Sequence, residues 1–147
     1  MKRYDEIAKN LFLEGYNCAQ SVFLAFSDLT GLDDETALKL SAPFGGGMGK
    51  MREVCGAVSG MLMALGALEG YTAKDDLAAK QAHYETVQHL MRTFQEENGS
   101  YVCKDLLNRP VISGDATPEA RTGAYYKKRP CADCVASAAK ILMEYLD

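Results

Sequence analysis

Apolar residues recur at helical intervals along almost the whole chain. Ile7, Leu11 and Phe12 share one face of a segment over residues 4–14, which Gly15 and Tyr16 interrupt. Asn17, followed three residues on by Gln20, makes a capping-box pattern and opens a second helix carrying Val22, Phe23, Phe26 and Leu29. Thr30 and Gly31 close it. Asp33 or Asp34 caps a third helix through Leu38 and Leu40 to Ala42, where Pro43 stops it. A glycine loop over residues 44–49 leads into the most apolar helix, expected near residues 52–68.

Thr72 with Asp75 starts the longest helix, to about residue 97, with Leu77, Tyr84, Val87, Leu90, Met91 and Phe94 as its apolar face. Ser100 caps a short turn carrying Cys103, Leu106 and Leu107. Residues 108–130 contain Pro110, Gly114, Pro118 and Gly123, and read as a long loop with one helical turn at 117–119. A last helix over about 130–146 turns Val135, Ala138, Ala139, Leu142 and Tyr145 inward. No strand pair and no repeat interrupts the pattern. The expectation is a single all-α domain over residues 1–147, a bundle of about five to seven helices with a long loop before the C-terminal one.

Composition narrows the function classes. The 147 residues are 48% hydrophobic and 24% charged, the proportions of a soluble globular chain that builds its core without staples. With 20 acids against 16 bases the net charge is −4, which argues against a nucleic-acid partner. The longest apolar run, residues 54–68, falls short of the ~20 residues that span a bilayer, so no membrane partner is expected. Asp5 and Glu6 stand where a secretory signal turns apolar, which points to the cytoplasm. That compartment keeps thiols reduced, leaving the five cysteines as reactive thiols, metal ligands or core residues.

Their positions are the informative feature. Cys18 follows the cap Asn17, Cys55 falls in the first two turns of the apolar helix, Cys103 follows Ser100 by three, and Cys131 opens the last helix. Free N–H groups at a helix start carry about half a positive charge, which favours a thiolate. Arg121, Lys127, Lys128 and Arg129 add basic charge with no acid among residues 121–130, so Cys131 is expected to be the most acidified thiol. Cys131 and Cys134 form a C-x-x-C, in which one thiolate attacks and the other resolves. The same spacing is half of a zinc site, with no second pair to complete it. Val135 after Cys134 excludes c-type haem attachment, and His83 and His89, six apart, sit on opposite sides of their helix. Burial as small core residues remains the plain alternative for any one cysteine.

Gly49-Lys50 has the look of a phosphate loop, but Phe44 replaces its first glycine and Met51 its hydroxyl residue, so no nucleotide site is expected. The loop reads as a tight connection or as a nest of N–H groups around an anion or thiolate. Gly56, Gly60 and Ala64 make a stripe that lets two helices approach closely.

Three segments in combination resemble a known family: Glu14-Gly15-Tyr16-Asn17-Cys18-Ala19-Gln20, Phe44-Gly45-Gly46-Gly47-Met48-Gly49 and Cys55-Gly56-Ala57-Val58-Ser59-Gly60. With Cys103-Lys104-Asp105-Leu106-Leu107 and Cys131, they are similar to the signature of the C_GCAxxG_C_C family of bacteria and archaea. The resemblance implies a small helical protein with four signature cysteines and a redox role inferred from them. It carries over to Cys18, Cys55, Cys103 and Cys131 and not to Cys134, where an apolar residue is expected.

Three functions follow as expectations. The first is thiol–disulfide redox with an unidentified partner, Cys131 attacking and Cys134 or Cys103 resolving, which needs no cofactor. The second is metal binding, with Zn²⁺ or an iron–sulfur cluster held by Cys18, Cys55, Cys103 and Cys131. The third is a helical interaction module whose cysteines fill the core. The long amphipathic helix also leaves room for a homo-oligomer.

Overall fold

The computed structural model describes residues 2–108, 111 and 113–147, and among these it is all-α. The expected loop over 108–130 thus falls partly outside the described residues. Helix α1 (Tyr4–Leu13) ends at the Gly15 break, and α2 (Cys18–Ala25) begins at Asn17 with both halves of the capping box formed. The Asn17 side chain accepts from the Gln20 N–H at 2.8 Å, and Gln20 accepts from the Asn17 N–H at 3.1 Å. The second helix does not run unbroken to Leu29. It bends at Phe26 (φ −97°, ψ 16°) and resumes as α3 (Ser27–Thr30), which left-handed Gly31 ends. Asp33 caps α4 (Asp34–Ser41), and Pro43 lies in the 3-10 turn that follows.

Helix α2 is the centre of the domain: Ala19, Ser21, Val22, Phe23, Leu24 and Ala25 are all buried. Around it pack α1, α4, α5 (Gly56–Glu69) and the C-terminal helix α9 (Cys131–Leu146), with α1 lying along α9. Phe12, Phe26, Met61, Leu65, Leu90, Phe94 and Leu142 fill the interior, and Tyr4 stacks on Phe26 at 4.5 Å. The glycine stripe behaves as expected. A Cβ at Gly60 would stand 2.6 Å from the Ala19 carbonyl oxygen, and one at Gly56 would stand 3.1 Å from the Cys18 Cβ. These two missing side chains let α5 rest directly on α2.

Four boundaries differ from expectation. Helix α5 starts at Gly56 rather than near residue 52, because Met48, Lys50 and Arg52 adopt left-handed backbone (φ 66°, 67° and 62°) and Val54 pairs with Val102 in an antiparallel bridge. Helix α6 (Leu77–Asn98) has the expected end but starts later than Thr72 and Asp75, at Leu77, where Asp76 accepts from the Ala79 N–H. Its apolar face is also shorter, with Leu90 and Phe94 buried while Leu77 is 71% and Tyr84 48% exposed. A helix of 22 residues is about 33 Å long and outreaches a core of this size. Ser100 does not cap α7 (Cys103–Leu107); its hydroxyl accepts from the Val102 N–H, and Val102 is the cap residue. No helix forms at 117–119, where Asp115 accepts from the Thr117 N–H; the helical segment is α8 (Gly123–Lys128), opened by Thr122. Tyr145 in α9 is also not inward but exposed, its hydroxyl donating to Glu69.

Candidate functional site

Four helix starts deliver four cysteines to one region. Cys18, Cys103 and Cys131 are the first residues of α2, α7 and α9, and Cys55 is the cap residue of α5. Cys55 therefore precedes its helix rather than lying within the first turns. The Val54–Val102 bridge holds two of these starts together: the Cys55 N–H donates to the Tyr101 carbonyl at 2.8 Å and the Cys103 N–H to the Glu53 carbonyl at 2.6 Å. The other contact is between α2 and α5, where the absent side chain of Gly56 admits Cys18.

The glycine loop positions the cluster. Gly46 through Lys50 all have positive φ, so the chain winds left-handed for a full turn. Such backbone costs roughly 1–2 kcal/mol for each residue with a side chain, and Met48, Lys50 and Arg52 all bear it. Gly45 and Gly47 let the turn press inward. A Cβ on Gly45 would meet Asn17 at 2.6 Å, and one on Gly47 would meet the Cys103 Cβ at 2.7 Å. The N–H groups of Lys50, Met51, Arg52 and Glu53 donate to carbonyls at Gly45, Met48, Gly46 and Gly47. Those four N–H groups are committed within the turn, so a nest reading does not extend to them.

Within the cluster the thiols fall into two neighbouring pairs and one thiol beside an arginine. The neighbouring Cys18 is the largest cause holding Cys131 down at about 7; Arg129 and Arg121 act in the same direction against its burial. The same proximity pushes the Cys18 thiol well up, with burial adding to it. The Cys134 thiol donates to the Asn98 side-chain oxygen at 4.0 Å. Cys134 in turn lowers the neighbouring Cys55, helped by the Ala57 and Val58 N–H groups, and is itself raised. Cys103 is buried, and burial pushes its thiol up in spite of the Arg52 guanidinium, whose Nη1 lies 3.6 Å from Sγ. Cys131 is thus acidified as expected, but chiefly by Cys18. Its thiol partner is Cys18, while Cys134 turns to Cys55 and Cys103 to Arg52.

The pairs differ in access. Cys55 and Cys134 are buried, whereas Cys18 and Cys131 are half-buried. Cys18 lines a cavity of about 270 Å³ with Lys50, Arg52, Arg121 and Arg129. Pro118, Glu119 and Arg121, from a strap over residues 113–122, form part of its wall. Lys50 donates to the Thr117 carbonyl, and Arg121 donates to the carbonyls of Phe12 (2.8 Å) and Tyr16 (2.9 Å) while stacking 4.2 Å from the Phe12 ring. Among the described residues, no group of three or more His, Cys, Asp or Glu side chains stands where it could hold a metal ion. The sequence drew attention to Lys50 only within the rejected phosphate-loop comparison and to Arg52 only as the expected helix start, not as site residues.

A helical domain that gathers thiols from separate helix starts beside basic groups is suited to cysteine chemistry. The chain belongs to the family described as "Putative redox-active protein (C_GCAxxG_C_C)", whose model matches residues 16–145. No curated protein and no solved structure matches the chain.

Proposed function

We propose that this protein is a thiol–disulfide redox protein whose working pair is Cys131 and Cys18. The observation that carries the reading is that the Cys18 and Cys131 thiols are neighbours across two helix starts, at the half-buried edge of the cluster. The Cys131 thiolate attacks one sulfur of a substrate disulfide. A Cys131–substrate bond forms, the substrate S–S bond breaks, and the departing thiolate takes up a proton from water. Cys18 then gives its proton to solvent and attacks the Cys131 sulfur, releasing the second substrate thiolate. Two electrons have passed from the protein to the substrate, and a dithiol reductant returns the Cys18–Cys131 disulfide to its starting state. A cytoplasmic setting suits this cycle because thiols are held reduced there.

The family's description as redox-active supports the class of chemistry. Cys55 and Cys134 serve as a second, buried pair that receives oxidation only after the outer one. The test is to count free thiols after mild oxidation of the reduced protein. Wild type loses two, Cys131→Ser and Cys18→Ser lose none, and Cys134→Ser still loses two. Retention of the two-thiol loss in Cys18→Ser overturns this assignment.

The four helix starts keep a second reading in view, a metal or iron–sulfur cluster on Cys18, Cys55, Cys103 and Cys131, although no three such side chains among the described residues stand where they could hold an ion. Zinc, iron and acid-labile sulfide measured in anaerobically purified protein separate the two.

A further inference from the structure

The cavity beside Cys18 is unusual in its charge. Lys50, Arg52, Arg121 and Arg129 line it, and among the described residues Glu119 is the one acid in its wall. Two of the guanidiniums are almost entirely out of water: Arg52 is 5% exposed, and so is the Arg129 side chain. The Nε of each is buried and meets no hydrogen-bond acceptor among the described residues. Arg129 has Glu119 as an ion-pair partner. Among the described residues Arg52 has only the Cys103 sulfur, at 3.6 Å, as a side-chain hydrogen-bond partner. Arg121 spends two of its N–H groups on backbone carbonyls, which orient the guanidinium without neutralising it. Asp115 lies within electrostatic range of Lys50 and Arg52, but its carboxylate accepts from the Thr117 N–H and does not line the cavity.

A buried guanidinium without a matching anion is costly, and removing charge from water is tolerated where a counter-charge arrives to complete it. The guanidinium fork matches planar oxyanions, carboxylates above all. The cavity volume, about 270 Å³, lies just below the range of about 300–1,000 Å³ for ligand sites, which suits a small ligand. The chain as a whole is negative, so its bulk field repels anions and only a local site would attract them.

We propose that this cavity is the substrate site of the redox pair, and that the substrate is a small disulfide carrying carboxylate or similar oxyanion groups, held by Arg52, Arg129 and Lys50 with its sulfur at Cys18, the member of the pair that lines the cavity, next to Cys131. The identity of the substrate as a disulfide rests on the thiol-exchange reading above; the anion site itself does not. Exchange follows the steps already given, two electrons leaving the Cys18–Cys131 dithiol and two carboxylated thiols leaving the cavity.

Two probes keep these parts separate. Thiodiglycolate, a dicarboxylate with a thioether in place of the disulfide, tests the site without any exchange, and calorimetric titration compares it with uncharged thiodiethanol. Dithiodiglycolate, uncharged hydroxyethyl disulfide and cationic cystamine then test exchange, read as the rate of thiol loss from the reduced protein. The expected result is binding of thiodiglycolate and not thiodiethanol, weakened about tenfold by Lys50→Gln and by Arg52→Gln. Lys50 is at the exposed rim, so Lys50→Gln serves if Arg52→Gln does not fold. Dithiodiglycolate should react about tenfold faster than hydroxyethyl disulfide, and cystamine slowest. Thiodiglycolate binding no tighter than thiodiethanol overturns the anion site. Selective thiodiglycolate binding with no preference among the three disulfides keeps the anion site and overturns its assignment as the exchange substrate's. Selective binding without any thiol loss in all three overturns the redox reading instead.

Discussion

The Cys18 and Cys131 thiols are neighbours, and each of these residues is the first of its helix. Arg129 and Arg121 help hold the Cys131 thiol down, while the neighbouring sulfur and burial push Cys18 up. The charge of this pair is therefore favoured on Cys131.

Reactivity should follow the charge. Alkylation of Cys131 by iodoacetamide, followed residue by residue by mass spectrometry, should rise to half its maximum at about pH 7. In Cys18→Ala the neighbouring thiol that does most to hold Cys131 down is gone, and the midpoint should move upward toward the ordinary thiol value. An unmoved midpoint means the helix and arginines alone acidify Cys131.

The same shift makes a stability prediction. Because Cys131 is held down at about 7 in the fold, the folded chain binds fewer protons than the unfolded one between about pH 7 and the ordinary ~8.5. This thiol's contribution is fully present above that unfolded value and is lost as pH falls through about 7. Urea unfolding of reduced wild type against Cys131→Ala at several pH values should show the difference shrinking as pH drops.

Gly60 and Gly66 lie on the same helix and should respond oppositely to alanine. A Cβ on Gly60 meets the Ala19 carbonyl at 2.6 Å, whereas one on Gly66 meets nothing within 4 Å. Gly60→Ala should lose about 2 kcal/mol or more as α5 is pushed off α2. Gly66→Ala should gain roughly 0.5–1 kcal/mol from helix propensity. Equilibrium urea unfolding measures both.

Arg121 fastens the strap over residues 113–122 to the end of α1. Arg121→Ala removes two charged hydrogen bonds and the stacking on Phe12, a loss of about 2 kcal/mol. Limited proteolysis should then cut within the strap at a protease concentration that leaves wild type intact. Unchanged cleavage would mean the strap is held elsewhere.

Much of this architecture is written in local sequence. Asn17 and Gln20 announce α2, and Gly56 and Gly60 announce the α2–α5 contact, because capping and close approach depend on residues at fixed short spacings. The four cysteines at helix starts are legible for the same reason. Their pairing is not. Cys131 and Cys134 are one turn apart and look like partners, yet Cys134 faces the buried Cys55 and Cys131 meets Cys18, more than a hundred positions away. The late start of α5 is equally hidden, since nothing in Lys50 or Arg52 signals left-handed backbone; the bridge to Val102 fixes it. The exposed face of α6 escapes periodicity as well, because Leu77 and Tyr84 keep the helical spacing but extend past the core.

Disulfide mapping tests the central claim most directly. The fully reduced protein is titrated with a sub-stoichiometric oxidant, free thiols are blocked at low pH, and linked peptides are identified by mass spectrometry. The account predicts that the first bond to form joins Cys18 and Cys131, with Cys55 and Cys134 still reduced. A first bond between Cys131 and Cys134 would contradict it.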